Sequence, residues 1–204
     1  MADVALNKAS LKQQREQLAT FQDFLPSLDL KRRRMLYEQR RQESELREIN
    51  AAIDDKYEDL SDMMLLAGES KFETAGLLKV AGVTLGSDNI AGARLPRLDG
   101  IDFEIDDRPA LDRPFWLPEM LKRLRDLSGL HIRRELQRRR VAALAKAVKT
   151  VTQRINLFEK VLIPEAQENI RRIKIHLADM ERAAVVRSKL VKAKREQELL
   201  NIGD

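Results

Sequence analysis

Along the first third of the chain, apolar residues recur at steps of three and four: Leu11, Leu18, Phe21, Leu25, Leu28, Met35, Leu46, Ile49, Ile53, Leu60, Met63 and Ala67. Polar residues interrupt the series at Gln14, Arg32, Gln39, Gln42 and Lys56. A seam of about eight heptads is well past the three or four that mark a coiled coil, so residues 1–67 read as one long helix with a narrow apolar stripe. The rhythm returns at the other end in Val141, Leu144, Val148, Val151, Ile155, Phe158 and Leu162. There the steps become four and four (Leu162, Ala166, Ile170) before three and four resume at Ile173, Leu177, Met180 and Ala184. Such a stutter locally unwinds a left-handed supercoil.

The middle follows another rule. Six of the eight glycines fall between Gly68 and Gly100, and four of the six prolines between Pro96 and Pro118. Ile101, Phe103 and Ile105 alternate with Asp102, Glu104 and Asp106, the period of a half-buried strand. Val83–Leu85 and Arg94–Leu98 are its candidate partners, joined through a Gly86–Gly92 turn region, with Pro96 requiring an edge position. Ser61 to Leu78 is expected to hold the end of the first helix and a short helical piece, and the stretch from Pro109 to Pro118, with Phe115 and Trp116, an irregular return.

Three segments follow: an N-terminal helix (1–67), a globular insert with a short helix and a β-hairpin (68–118), and a C-terminal helix (119–204). Stripes this narrow cannot be buried in a globule, and lone helices are marginal in water, so the two helices should pair with each other. The fold class is therefore mainly α, a long antiparallel two-helix coiled coil with a small hairpin-containing insert and both termini at one end. About 55 paired residues would make a rod roughly 80 Å long. Pro26 and Pro164 lie inside helical patterns, where each should kink or restart its helix, with Ser27 able to cap a new one.

Composition sharpens this picture. Charged residues make up 35% of the 204 and aromatics 4%, which suits an elongated helical protein better than a thick-cored globule. Without cysteines, disulfides and thiolate metal sites are excluded, and a cytosolic compartment is the default. No signal peptide and no apolar run of membrane-spanning length are visible, so no direct membrane insertion is expected. The net charge of +5 is uneven: residues 119–204 carry 21 Lys and Arg against 11 Asp and Glu, while residues 1–67 carry 11 against 13. An acidic partner is the question this raises.

Candidate chemistry is sparse. His131 and His176 have no spaced ligand partner and read as solvated helical histidines. Gly82-Val-Thr-Leu-Gly86 lacks the spacing and lysine of a phosphate loop. Asp54/Asp55 and Asp106/Asp107 are adjacent, so on regular structure they point apart and read as solvated surface rather than an acid/base pair. No catalytic residue, cofactor or metal site is expected. The basic runs Lys31-Arg32-Arg33-Arg34, Arg133/Arg134, Arg138-Arg-Arg140 and Arg171/Arg172 are the remaining candidates. They read as solubilising helix faces, as a nucleic-acid surface that lacks a recognition module, or as a basic rod within a ring of acidic protein.

The run Thr152-Gln-Arg-Ile-Asn-Leu-Phe-Glu159, then Val161-Leu-Ile-Pro164, with Ile170, Ile173, Leu177, Asp179 and Glu181-Arg182, resembles the D subunit of the V/A-type rotary ATPases. Asn7-Lys-Ala-Ser-Leu11 and Leu28-Asp-Leu-Lys-Arg-Arg-Arg-Met-Leu36 resemble that family's N-terminal helix, and Val80 to Phe103 resembles its hairpin insert more loosely. The chain departs from the pattern at Leu25-Pro26-Ser27, where a glycine is usual, and at Arg34 or Met35, where an aspartate is usual.

The resemblance implies a noncatalytic central shaft that transmits torque between a hexamer of catalytic A and regulatory B subunits and the ion-translocating membrane ring. It implies further partners in the F subunit and in a C/d-type socket protein above the ring, and a cytoplasmic position peripheral to the membrane. Partner contacts are expected at Lys31, Arg32, Arg33, Arg34, Arg154, Asn156, Glu159, Pro164, Arg171 and Arg172. The alternative is a nonenzymatic coiled-coil tether or scaffold that binds an acidic partner or nucleic acid through its basic C-terminal helix.

Overall fold

The computed structural model describes residues 4–69, 76–105 and 114–201, apart from the side chains of Asp62, Leu66 and 196–201. In chain order these form helix α1 (Lys8–Glu69), strands β1 (Leu78–Ile90) and β2 (Ala93–Ile105), helix α2 (Leu117–Leu157), a π-helical turn (Phe158–Leu162) and helix α3 (Ile163–Asn201). The chain divides into two compact units, Met1–Leu30 with Thr152–Asp204, and Lys31–Val151. Asp106/Asp107, part of the Pro109–Pro118 return and part of the Ser61–Leu78 stretch lie outside the described residues.

In the unit that holds both ends of the chain, Asn7 caps α1, its Oδ1 accepting the Ser10 N–H at 2.7 Å. Such a cap satisfies one of the helix's orphan donors and contributes about 1 kcal/mol. Phe21 meets Phe158 edge-on at 5.4 Å and 82°, and Asn169 Nδ2 donates to Gln14 Oε1 at 3.5 Å, so the helices run antiparallel. Ile155, Ala166, Ile170 and Ile173 are buried along the seam.

The two prolines are accommodated differently: Pro26 lies within α1, and Pro164 lies in the first turn of α3, where the α-helix restarts after the π-helical turn. α1 continues through Pro26, and Ser27 opens no new helix: its hydroxyl donates to the Phe24 carbonyl at 2.8 Å. The stutter at Leu162–Ala166 coincides with the π-helical turn, in which the Ile163 N–H bonds to the Phe158 carbonyl. A π turn takes in one extra residue. It also places widened hydrogen bonding next to Pro164, which has no N–H to offer the preceding turn.

In the unit Lys31–Val151, Met35, Ile53 and Leu60 of α1 are buried, as are Leu127, Leu136, Leu144 and Val151 of α2. Ile53, Leu60 and Leu127 form one cluster. A second joins Leu77, Trp116, Leu117, Met120 and Leu121, with Met63 and Ala67 against them, and so closes the seam beside the insert. Phe115, next to the buried Trp116, is 90% exposed. His131 is half-buried rather than solvated; its ring stands edge-on to Tyr57, with Nε2 at 3.1 Å from the phenol oxygen.

One level of this seam is polar. Gln42 and Gln137 are buried, and Gln137 Nε2 donates to the Gln42 carbonyl and to Gln42 Oε1, each at 2.9 Å, and to Glu45 Oε2 at 3.2 Å. Gln42 Nε2 donates to Glu38 Oε1. Arg140 Nε reaches Gln42 Oε1 at 2.8 Å, while its Nη1 binds Asp88 Oδ2 at 3.2 Å and the Pro96 carbonyl at 2.9 Å. A single guanidinium thus ties α2 to α1 and to both strands.

The insert is one long hairpin rather than three short strands. β1 and β2 pair antiparallel from Leu78↔Ile105 to Ile90↔Ala93. The turn is only Ala91-Gly92, both at positive φ (51° and 86°), the two-residue turn whose twist suits a hairpin. Asn89 Oδ1 accepts the Gly92 N–H at 2.9 Å. Gly86 is not in the turn but within β1, where a Cβ would collide with the Asp99 carboxylate. Register shifts leave Ala81 and Asp99 as extra residues, and the bulge at Asp99 carries the chain from the Leu95 stretch into Ile101–Ile105 without a break. With two strands both are edges, the condition Pro96 needs. Ile101 and Phe103 are half-buried, as the alternation predicts, whereas Ile105 is 46% exposed. Arg125 stacks on the Phe103 ring at 5.5 Å.

Three outcomes follow for stability, read by urea unfolding. Pro26→Ala should stabilise by about 1–3 kcal/mol, because the proline sits where the helix continues. Gly92→Ala should destabilise by about 1 kcal/mol or more, since it forces a second non-glycine residue into the left-handed region. Arg140→Ala should cost about 2–4 kcal/mol by stranding Asp88 and Gln42, and Arg140→Lys should recover little, because an ammonium cannot span the same three acceptors.

Candidate partner-contact surfaces

The ten residues expected from the sequence to meet partners are divided between the two units. Lys31, Arg32, Arg33 and Arg34 belong to one unit, and Arg154, Asn156, Glu159, Pro164, Arg171 and Arg172 to the other. Four consecutive helical residues step round the axis by about 100° each, so Lys31–Arg34 surround α1 instead of lining one face. Lys31, Arg33 and Arg34 are exposed, Arg32 is half-buried, and the next residue, Met35, is buried in the seam. Lys31 extends to the hairpin turn, where a Cβ on Gly92 would lie 3.1 Å from its Nζ.

The second group lies wholly on the outside of its unit. Arg154, Asn156, Glu159, Pro164, Arg171 and Arg172 are all exposed, while the apolar residues interspersed with them, Ile155, Ile170 and Ile173, are buried. The motif thus puts isoleucines in the seam and its polar residues on the surface, where Leu157 and Val161 are also exposed. Arg171 forms a two-pronged bond to Glu168, with both contacts at 2.9 Å. Hydrogen bonding and charge hold the Glu168 carboxyl below, and the Arg171 guanidinium above, their ordinary values. Because the carboxyl is lowered, the pair adds stability above the ordinary carboxylate range and loses it as pH falls. At an exposed site the contribution is small.

A further surface lies where the heptad pattern predicts a seam. The repeat predicts pairing as far as Met180 and Ala184, but Met180 is 53% exposed, and every residue from Asp179 to Arg195 is exposed. The reason is length: Lys8, where α1 begins, lines the same groove as Leu177 and Glu181, so beyond that level α1 offers nothing to pair with. Val185, Val186, Leu190 and Val191 are left 52–59% exposed among basic residues. The signal that could have found this overhang is the unequal reach of the two seams toward the chain ends. On α1, Leu30 and Tyr37 are each 71% exposed. Exposed apolar side chains of this kind are candidates for cover by another molecule.

Among the described residues no group of three or more His, Asp and Glu stands close enough to hold a metal ion. Asp54 and Asp55 are both exposed, and an open surface groove of about 540 Å³ lies between β2 and α2.

Comparison with known proteins places this architecture. Residues 10–193 match the family model for the D subunit of ATP synthase. The chain is 32% identical over 193 residues to the V-type ATP synthase D subunit of Borreliella burgdorferi, covering 95% of each chain. It is 28% identical over 202 residues to that of Chlamydia felis, covering 96% of this chain and 95% of the other. It is 27% identical over 201 residues to that of Chlamydia pneumoniae, covering 95% and 93%. With the match running from the first turns of α1 to the basic end of α3, this chain belongs to the ATP synthase D-subunit family.

Proposed function

We propose that the chain is the central rotor shaft of a V-type ATP synthase, a noncatalytic component that carries torque between the catalytic hexamer of A and B subunits and the ion-translocating ring. The observation that carries this reading is the family match over residues 10–193 in a chain of long antiparallel helices. Torque transmission needs a seam that resists twisting and a surface that does not lock in one orientation. Buried Leu144 and Ile173 serve the first need. Exposed charges, which interact weakly and at a distance, serve the second.

The reading extends to partners. The apolar overhang of α3 and the first turns of α1 would stand within the hexamer, the paired helices further along would hold the F subunit, and the insert end would seat on the C/d-type socket. Lys31–Arg34, Arg154, Asn156, Glu159, Pro164, Arg171 and Arg172 would supply contacts. Among the described residues no helix is long and apolar enough to cross a membrane, which accords with a position peripheral to the membrane sector.

Co-expression with the A, B and F subunits should give a complex that retains this chain through gel filtration. A stable hexamer that never retains it, together with tight and steeply salt-dependent DNA binding, would favour the tether reading instead. Removing residues 1–25 or 185–204 should weaken retention by the hexamer and spare capture of the F subunit in pull-downs; the opposite pattern would mean the orientation is inverted. Deleting 83–100 should preserve helicity by circular dichroism while changing the ATPase rate of the complex.

A further inference from the structure

We infer that Lys31, Arg34, Arg94, Lys146 and Lys149 form a basic belt around the hairpin tip that meets an acidic protein surface by long-range attraction rather than by fixed ion pairs. The placement comes from the register. Gln42 bonds to Gln137, and two turns further along each helix Met35 and Leu144 are both buried, so these two share a level of the seam. Lys31 and Arg34 lie within about a turn of Met35, and Lys146 and Lys149 within about a turn and a half of Leu144. Arg94 stands just beyond the Ala91-Gly92 turn, which Lys31 reaches.

All five side chains are exposed, and among the described residues none of them makes an ion pair. The neighbouring carboxylates are committed elsewhere: Glu38 accepts from Gln42 and faces Arg41, and Asp88 binds Arg97 and Arg140. Asp29 has its own interaction. Five uncompensated like charges at one level repel one another, a cost that an opposing negative surface removes.

The distribution favours protein over nucleic acid. Measured from the buried positions, Lys146 and Lys149 point away from the seam on α2, while Lys31 lies beside it on α1 and Arg34 to one side. Charges spread round two helices and a hairpin suit an enclosing surface, whereas a duplex would touch one side only. Held within about 8 Å of carboxylates at physiological salt, such charges attract without fixing an orientation.

This inference rests on the rotor reading and is tested within it. The five residues are changed together to Gln in the full chain, and binding to the purified A/B hexamer is followed by stopped flow across a salt series. The association rate at low salt should fall about tenfold and its salt dependence should flatten, with the dissociation rate within about twofold of the parent. Five neutralisations at Arg40, Arg47, Lys79, Arg133 and Arg138 should have a clearly smaller effect. An equal effect would mean that net charge alone acts, and unchanged kinetics in the belt variant would remove the belt; either result overturns the inference. Belt-dependent binding of duplex DNA at physiological salt, with hexamer association unaltered, would overturn it in favour of nucleic acid. Failure of the parent chain to bind the hexamer at all would instead count against the rotor reading. Matching thermal unfolding of the variants by circular dichroism establishes that each is folded.

Discussion

Two paired helices have one apolar seam, and a heptad pattern alone fits that seam in several registers, each displaced from the next by seven residues. In the unit Lys31–Val151 the ambiguity is removed by the polar level at Gln42, Gln137 and Arg140. A displaced register would bury the two amides opposite leucine or isoleucine and leave polar atoms unsatisfied, at about 1–3 kcal/mol for each group. A buried polar position that fixes register is a well-attested device in coiled coils. Here it also sets the insert, because the guanidinium that completes the level reaches the Asp88 carboxylate and the Pro96 carbonyl. Helix register and hairpin position are consequently one decision.

The long elements are legible from the sequence because their signal is repetitive. Met35, Ile53, Leu60, Leu144, Ile155 and Ile173 each occupy a place in the three-four series, whereas the buried Leu127 and Leu136 lie before the second series begins at Val141. What is not legible depends on single bonds. Gln42 reads as an interruption of the stripe until Gln137 is seen against it, 95 positions away. Arg140 reads as one member of a basic run, yet its side chain is only 15% exposed. The expected Gly86–Gly92 turn region contains the Ala91-Gly92 turn but is drawn too wide, because Gly86 and Gly92 look alike in the sequence. One is a close approach to Asp99 and the other a left-handed turn. Pro26 carries less weight in the fold than in the sequence, since a helix with an established partner can lose a hydrogen bond and continue.

The candidate contacts divide along the same line. Ile155, Ile170 and Ile173 of the matching stretch are interior, whereas its arginines, asparagine and glutamate, and with them Leu157 and Val161, are surface. A surface of dispersed charges and apolar side chains is built for extended neighbours, and one component of a larger machine needs that kind of surface.

The unpaired end of α3 has a thermodynamic consequence. A single helix with its apolar side chains in water is barely stable by itself. A partner that enclosed residues 179–195 would bear the entropy of ordering them, and its grip would be weaker than the contact area suggests. Assembly at this end would then be coupled to helix formation, so that helix propensity there, in residues touching no neighbour, would set part of the affinity.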